Sequence, residues 1–182
     1  MGDDRGVANT RGGKQTVRDL VLSMAVIGVV VAVIYIFIPH SEGDPVKTVS
    51  YTVELGQARR DAPFAVAAPV GLGKQWRATS VTYDASDTKA VLWHLGFVDP
   101  ENEYAAVEQS NADAVAFIKD KTYSAVRSGS RTVDGFTWAR YKGDKYDALV
   151  REEGGVTTMV TGTASFDRLA TLAAALEERG GQ

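Results

Sequence analysis

Two histidines are the side chains of this sequence best suited to acid-base chemistry, because imidazole gains and loses a proton near neutral pH. His94 lies in a segment that alternates apolar and polar residues, where it would serve as a general base or a metal ligand. A hydrogen-bonded structural histidine is the alternative, and we favour it. His40 follows a long apolar segment and is interpreted as an interfacial residue. Neither histidine belongs to a His-x-x-x-His or His-Glu-x-x-His spacing, so we predict no metal site and no cofactor.

Carboxylates would have to complete any acid-base pair. Glu108 lies within a predicted strand, and its alternation could place it in a cleft; a cross-strand partner for a basic residue is the alternative. The acidic clusters on predicted turns are interpreted as solvated turn residues: Asp99, Glu101, Glu103, Glu152 and Glu153. A pocket in which His94 and Glu108 converge with a shifted pKa is the feature that would favour an enzyme over a binding module.

No nucleophile has a recognisable setting in the sequence. The chain has no cysteine, and the Gly-x-Ser-x-Gly pattern is absent. Ser165 follows a segment that resembles a nucleophile turn, but no second glycine follows it, so we interpret it as a helix N-cap. The glycines before Lys74 lack the Walker spacing and favour a bend over a phosphate site. We therefore predict no catalytic residue and expect that the protein is not an enzyme.

Tryptophan is both a large core residue and a common binding anchor. Trp76, Trp93 and Trp138 lie on three different predicted strands. If all three point to a helix-covered face they belong to the core, whereas an exposed Trp76 or Trp138 would mark a binding surface. These two tryptophans, with His94 and Glu108, form the candidate ligand or partner surface.

Composition narrows the class of protein. The chain has 182 residues, 45% of them hydrophobic, which is enough for one packed domain and an appendage. The lack of cysteine excludes disulfides, thiolate metal sites and iron-sulfur clusters. A net charge of -3 with interspersed signs argues against nucleic acid as a partner.

The strongest signal is a run of 19 uncharged, mostly apolar residues from Leu20 to Ile38. At about 1.5 Å per residue a helix of this length spans the hydrocarbon core of a bilayer. A removable signal peptide is the rival interpretation, but its apolar region is shorter and ends in a small-x-small site. We therefore predict a retained anchor that binds the membrane.

Basic residues set the orientation of this anchor. Arg5, Arg11, Lys14 and Arg18 precede it, whereas Lys47 alone lies close behind it, which favours a cytoplasmic N-terminus. The predicted organisation is a disordered cytoplasmic tail over 1–19, a transmembrane helix over 20–38, a tether over 39–47 and an extracytoplasmic domain over 48–182.

Alternating residues and turn formers predict an α+β fold for the outer domain. The best strand places Val91, Trp93, Leu95 and Phe97 on one face. The strand segments are 48–55, 64–68, 76–83, 91–98, 104–109, 131–133, 136–141, 148–153 and 156–161, with tight hairpin turns at 134–135 and 154–155. Helical segments are one turn at 57–61, a helix over 112–123 capped by Asn111, and a helix after Ser165 that runs to Glu178. We predict an antiparallel sheet flanked by helices on one face.

Six short motifs occur along the domain: APF at 62–64, PVGLGKQW at 69–76, WHLGF at 93–97, EQS at 108–110, DGFTW at 134–138 and VTGTA at 160–164. Together with the N-terminal apolar segment, they resemble an actinobacterial membrane-anchored family catalogued as domain of unknown function 4245. The resemblance implies a bacterial single-pass membrane protein with an exported domain and supplies no functional residues. The order of strands and helices is similar, more loosely, to the Mog1/PsbP-like fold, which usually serves binding or assembly.

These observations favour a binding or accessory module of the cell envelope, tethered to the membrane, with an envelope protein as an expected partner. An enzyme that acts on envelope material through a pocket around His94 and Glu108 is one alternative. A structural subunit of a membrane complex is the other, with Gly28 and Ala32 as a small-residue pair facing a partner helix.

Overall fold

The computed structural model describes residues 13–37 and 46–181 and divides the chain into two units, residues 1–44 and 45–182. In the first unit the helix α1 (Gly13–Phe37) contains a span, Val17–Tyr35, that is long and apolar enough to cross a membrane, with a mean hydropathy of 2.4. The apolar helix is thus confirmed. It begins at Gly13, within the segment predicted as the tail, and the predicted tether falls almost wholly on residues outside those described.

The second unit is an antiparallel α+β domain, as predicted. Its elements are α2 (Thr52–Asp61), β1 (Val66–Pro69), β2 (Arg77–Asp84), β3 (Leu92–Val98), β4 (Tyr104–Ser110), α3 (Ala114–Lys121), β5 (Val126–Val133), β6 (Phe136–Lys142), β7 (Asp147–Glu153), β8 (Val156–Gly162), α4 (Phe166–Ala174) and β9 (Leu176–Arg179). Seven strands form one sheet in the order β2-β3-β4-β8-β7-β6-β5, and β1 pairs with β9.

Both predicted tight hairpins are present. Asp134 and Gly135 connect β5 to β6 with φ values of 47° and 79°, and Gly154 and Gly155 connect β7 to β8 with 58° and 80°. Positive φ at both central residues is the requirement of the turn whose twist matches that of the flanking strands. Their composition therefore sets the geometry of these two hairpins.

One face of the seven-stranded sheet, here called the core face, carries the largest buried side chains. Trp93, Leu95 and Phe97 of β3 lie there, and Leu169 and Leu172 of α4 belong to the same buried cluster. Helix α2 and strand β1 cover the same face through small apolar residues. The strict alternation of β3 thus predicted the core correctly.

The opposite face, here called the open face, is covered in part by α3. Phe117 and Ile118 pack there against Ala148, Val150 and Met159. The prediction that helices lie on one face is therefore wrong. Helix α3 has an apolar side of its own, and the small and medium residues of β7 and β8 give it a second, smaller core.

Two ends of elements differ from the prediction. The segment predicted as a strand from residue 48 has no regular strand, and α2 begins at Thr52; a hydrogen bond from Val49 N to Ala78 O (2.9 Å) ties the preceding chain to β2. Helix α4 ends at Ala174 rather than Glu178, because the residues after it pair with β1 as β9. Tertiary pairing overrides the local preference at both places.

Two residues at element ends also differ from the prediction. Asp113, not Asn111, caps α3 and accepts a hydrogen bond from Ala116 N, while Asn111 Oδ1 accepts one from Val91 N (2.9 Å). Asp99 is buried rather than solvated: one carboxylate oxygen accepts hydrogen bonds from the backbone N–H groups of Glu101 and Glu103. It therefore shapes the turn between β3 and β4.

Candidate functional site

His94 and Glu108 meet on the open face. Their strands β3 and β4 pair in a register that places the two residues directly opposite each other. His94 Nδ1 lies 2.7 Å from Glu108 Oε1, and Glu108 is only 4% exposed. An ionised carboxylate only accepts hydrogen bonds, so in this pairing Nδ1 carries the proton and donates a hydrogen bond to Glu108 Oε1. The structure thus brings together the two titratable residues singled out from the sequence.

Ser80 of β2 completes a line of three side chains. Its Oγ lies 2.8 Å from His94 Nε2, the nitrogen left free to accept a hydrogen bond. Gly96, the residue paired with Ser80, makes room for this contact, because a Cβ there would lie 2.3 Å from Ser80 Oγ. Sequence reasoning missed Ser80. Ser80 lies in the segment predicted as a strand over 76–83, but its register with β3 depends on a bulge between Ala78 and Ser80.

Lys121, at the end of α3, brings a positive charge to the same carboxylate. Its Nζ lies 3.3 Å from Glu108 Oε2, within ion-pair range. That oxygen accepts no hydrogen bond from the part of the chain that the structure describes, although it is buried. Glu108 therefore uses one oxygen for His94 and keeps acceptor capacity on the other.

A cavity of about 420 Å³ opens beside these residues, a volume suited to a small molecule. Strands β2, β3 and β4 form its floor, and the end of α3 and the loop before β7 form its walls. It is lined by Thr82, Leu92, His94, Tyr104, Glu108, Asp120, Lys121, Tyr123 and Tyr146.

Three tyrosines form an aromatic wall of this cavity. The ring centroids of Tyr104 and Tyr146 lie 5.7 Å apart, and those of Tyr123 and Tyr146 lie 5.2 Å apart, nearly perpendicular. Lys145 Nζ stands 3.6 Å from the centre of the Tyr123 ring. Burial, together with the charge of Glu108, raises the pKa of Tyr104, so its phenol keeps its proton and can donate a hydrogen bond.

The backbone at the rim is strained. Tyr123 and Ser124 have φ values of 56° and 69°, a left-handed conformation that is unusual for residues with a side chain. Such conformations cost free energy and persist where the surroundings fix them, often at ligand sites. Here they place the Tyr123 ring, more than half exposed, against Tyr146 at the mouth of the cavity.

The two candidate tryptophans lie away from this cavity, on the core side of the sheet. Trp138 is 2% exposed and belongs to the core, which removes it from the candidate surface. Trp76 is half-buried and packs edge-on against Phe97, at a centroid distance of 6.3 Å. The candidate surface predicted from the sequence therefore divides: His94 and Glu108 form a site, and the tryptophans pack in or against the core.

Other predicted motifs fit structural roles. Ser165 caps α4 and accepts a hydrogen bond from Arg168 N, as expected. The chain also holds one Ser-x-x-Lys spacing, Ser86 to Lys89, but both residues are exposed on the turn between β2 and β3. Residues 13–37 and 46–181 contain no cluster of three or more His, Cys, Asp or Glu side chains that would hold a metal ion.

Comparison with curated proteins gives no match to this chain. A family model described as protein of unknown function, DUF4245, matches residues 13–176. The match includes the apolar helix and all the residues of the site just described. Because it spans most of the sequence, from the start of α1 to the start of β9, the chain belongs to the DUF4245 family.

Proposed function

We propose that this protein is a ligand-binding or accessory module of the bacterial cell envelope, tethered to the membrane, and that it binds a small polar molecule in the open-face cavity. The observation that carries this proposal is Glu108, an almost fully buried carboxylate that lines the cavity. Its Oε2 lies 3.3 Å from Lys121 Nζ but accepts no hydrogen bond from the described residues. An acceptor left without a hydrogen bond costs free energy, and a ligand whose donor reaches this oxygen would recover that cost.

The other walls are consistent with a ligand that carries hydroxyl or amine donors. Lys121 partly balances the charge of Glu108, and Asp120 adds a second carboxylate at the same end of the cavity. The tyrosine rings supply flat apolar faces beside these polar groups. This mixture of a few polar groups with aromatic walls is typical of small-molecule sites.

A ligand-binding test compares two acidic residues on the same sheet. The full-length protein is extracted from its own membrane in a mild detergent, so that it retains the native small molecule. We expect Glu108→Gln to weaken binding of this molecule by about tenfold, which is equivalent to one charge-assisted hydrogen bond. Native mass spectrometry measures the retained molecule. Glu153→Gln is the control, since its side chain is exposed on β7. Equal retention by both variants would overturn the proposed role of Glu108.

The apolar helix and its flanking charges support the extracytoplasmic location. Arg5, Arg11, Lys14 and Arg18 all lie before the uncharged run that begins at Leu20, and basic flanks are retained in the cytoplasm. Because the chain has no native cysteine, a single introduced cysteine can be labelled selectively with a maleimide. We expect an impermeant maleimide to label Ser130→Cys, an exposed position on β5, in intact cells, and Gly6→Cys only after permeabilisation. The reverse pattern would contradict the orientation, and loss of residue 6 from the mature chain would indicate a removed signal sequence.

An enzyme acting in the same cavity is the second candidate, and one observation favours it. His94 and Glu108 converge on the cavity and add Ser80, which gives a serine, an imidazole and a carboxylate in hydrogen-bonded sequence. Turnover of a bound molecule would distinguish this candidate from simple binding.

A further inference from the structure

Three side chains from three neighbouring strands form one hydrogen-bonded line across the open face. Ser80 Oγ lies 2.8 Å from His94 Nε2, and His94 Nδ1 lies 2.7 Å from Glu108 Oε1. Each atom has the role it needs for nucleophilic catalysis: a hydroxyl, a ring nitrogen that accepts its proton, and a carboxylate that fixes the ring tautomer.

We propose that Ser80 is a nucleophile and that the open-face cavity takes a carboxylic ester. This inference rests on the second candidate of the proposed function, because it requires the cavity to bind the acyl compound. His94 acts as the general base, and Glu108 is a positioning residue that orients the imidazole.

The reaction balances with water as its one co-reactant. Ser80 Oγ forms a bond to the carbonyl carbon as its proton moves to His94 Nε2. The bond from that carbon to the alkoxy oxygen then breaks, and the alcohol leaves with the proton from Nε2. Water attacks the acyl-serine in the same way, gives its proton to Nε2 and releases the carboxylic acid, and the proton returns to Ser80.

Gly96 distinguishes this line from an incidental contact. A side chain at this position would displace Ser80 Oγ, since a Cβ would lie 2.3 Å from that atom and 3.3 Å from His94 Nε2. The same Cβ position lies 3.2 Å from Tyr104 Cε2, so the bare backbone of Gly96 lets Ser80, His94 and Tyr104 approach one another. Tyr104 lines the same cavity, and its hydroxyl stays protonated as a hydrogen-bond donor because burial raises its pKa.

Accessibility fits the proposal. The side chain of His94 is 16% exposed and lines the cavity, and the half-buried Ser80 contacts this lining residue through its Oγ, 2.8 Å from His94 Nε2. The carboxylate of Glu108, which orients His94, is almost fully buried. Because a buried carboxylate has little freedom to move, it holds the imidazole ring in one orientation. The nucleophile thus lies next to a cavity-lining imidazole whose own orientation is held by a buried carboxylate.

The test uses the full-length protein in detergent micelles and an alkyl fluorophosphonate probe, which forms an Oγ–P bond and releases fluoride. We expect one adduct per chain, mapped to Ser80 by peptide mass spectrometry. Ser80→Ala abolishes it, and His94→Gln slows its formation at least ~100-fold. Ser130→Ala, on an exposed position of β5, reacts as the wild type does.

A second variant keeps the proposal falsifiable if Ser80→Ala does not fold. Ser80→Cys introduces a thiol into a chain that has none, and we expect iodoacetamide to alkylate it at pH 7 at least tenfold faster than Ser130→Cys, because His94 favours the thiolate. Equal alkylation rates, or phosphonate adducts spread over exposed serines, overturn the nucleophile. If Ser80 fails these tests while Glu108→Gln still loses the retained small molecule, the cavity binds a ligand without being an esterase site. If Ser80 fails and Glu108→Gln also keeps the molecule, the cavity is neither a binding site nor an active site.

Discussion

Two adjacent residues of β4, Glu108 and Gln109, show how differently the two faces of the sheet are built. Both are buried, and they point to opposite faces. On the core face, Gln109 Oε1 accepts from Ala67 N (2.7 Å), and Nε2 donates to Thr158 Oγ1 (2.9 Å) and Ala65 O. On the open face, Glu108 keeps one oxygen without a hydrogen bond from the described residues.

The difference separates polar groups that hold the fold from polar groups that are available to a ligand. Gln109 ties the seven-stranded sheet to the chain around β1, and its polar atoms are all used for that purpose. Glu108 is connected to His94 and Lys121, beside a cavity. A buried carboxylate that lines a cavity and keeps an oxygen without a hydrogen bond is a functional candidate, whereas an amide whose hydrogen bonds are all made within the fold is structural.

The largest expected effect is on the core face. Trp93 is fully buried, and its Nε1 donates to Ala67 O at 2.8 Å. We expect Trp93→Ala to lower the free energy of unfolding by about 3–5 kcal/mol, because it removes a large apolar side chain and leaves a cavity. Urea unfolding of the full chain in micelles, followed by circular dichroism, measures this. A loss below about 1 kcal/mol would contradict the assignment of this face as the core.

The second prediction compares the two adjacent residues directly. Gln109→Ala is expected to cost about 1–3 kcal/mol, since it leaves backbone and hydroxyl partners unsatisfied. Glu108→Gln keeps the shape and the acceptor for His94 but removes the charge paired with Lys121; because the Lys121 side chain is 23% exposed and stays solvated, we expect a cost of less than about 1 kcal/mol. The same unfolding measurement applies to both variants. If Glu108→Gln proves the more destabilising, Glu108 is structural and the contrast between the faces fails.

The third prediction concerns alkaline stability. Burial raises the pKa of Tyr104 above its ordinary value of 10.0, whereas unfolding exposes the phenol and returns that value. The stabilisation by the neutral phenol is thus fully present below pH 10 and is lost as pH rises toward the folded pKa. We expect the free energy of unfolding to fall above pH 10, and to fall less steeply in Tyr104→Phe. Parallel curves for the two proteins would contradict a buried, neutral Tyr104 at the cavity.

The smallest expected effect on stability is at the strained rim. Tyr123→Gly relieves a positive φ but loses the edge contact with Tyr146, so we expect the free energy of unfolding to change by less than about 1 kcal/mol. Val126→Gly, at an exposed position in β5, is the control and is expected to destabilise by about 0.5–1 kcal/mol. Thermal unfolding compares the two. A greater loss in Tyr123→Gly would mean that this residue supports the fold rather than the cavity.

Local patterns in the sequence predicted much of the fold. The alternation through Trp93 predicted β3 and the core face, and the Asp134-Gly135 and Gly154-Gly155 pairs predicted their hairpins. The end of α4 was beyond local information, since it depends on the pairing of β9 with a strand more than a hundred residues earlier. The second helical layer was missed for the same reason, because nothing local states which face α3 covers.

The site was predictable only in its separate residues. His94 and Glu108 were recognised, but their contact depends on the register of β3 and β4, and a shift of one residue would place them on opposite faces. Ser80 depends in addition on the bulge in β2. Register and bulges are set by packing across the whole sheet, which one sequence does not reveal.

Photo-crosslinking in the native cells tests most directly whether the open-face cavity is the functional site. A benzophenone amino acid replaces Tyr123 at the cavity mouth of the full-length protein, and the control carries it in place of Ser130 on β5. We expect a specific adduct at position 123 that Glu108→Gln abolishes, and none at position 130. An adduct at position 130 alone, or one at position 123 that Glu108→Gln leaves unchanged, would contradict this assignment of the cavity.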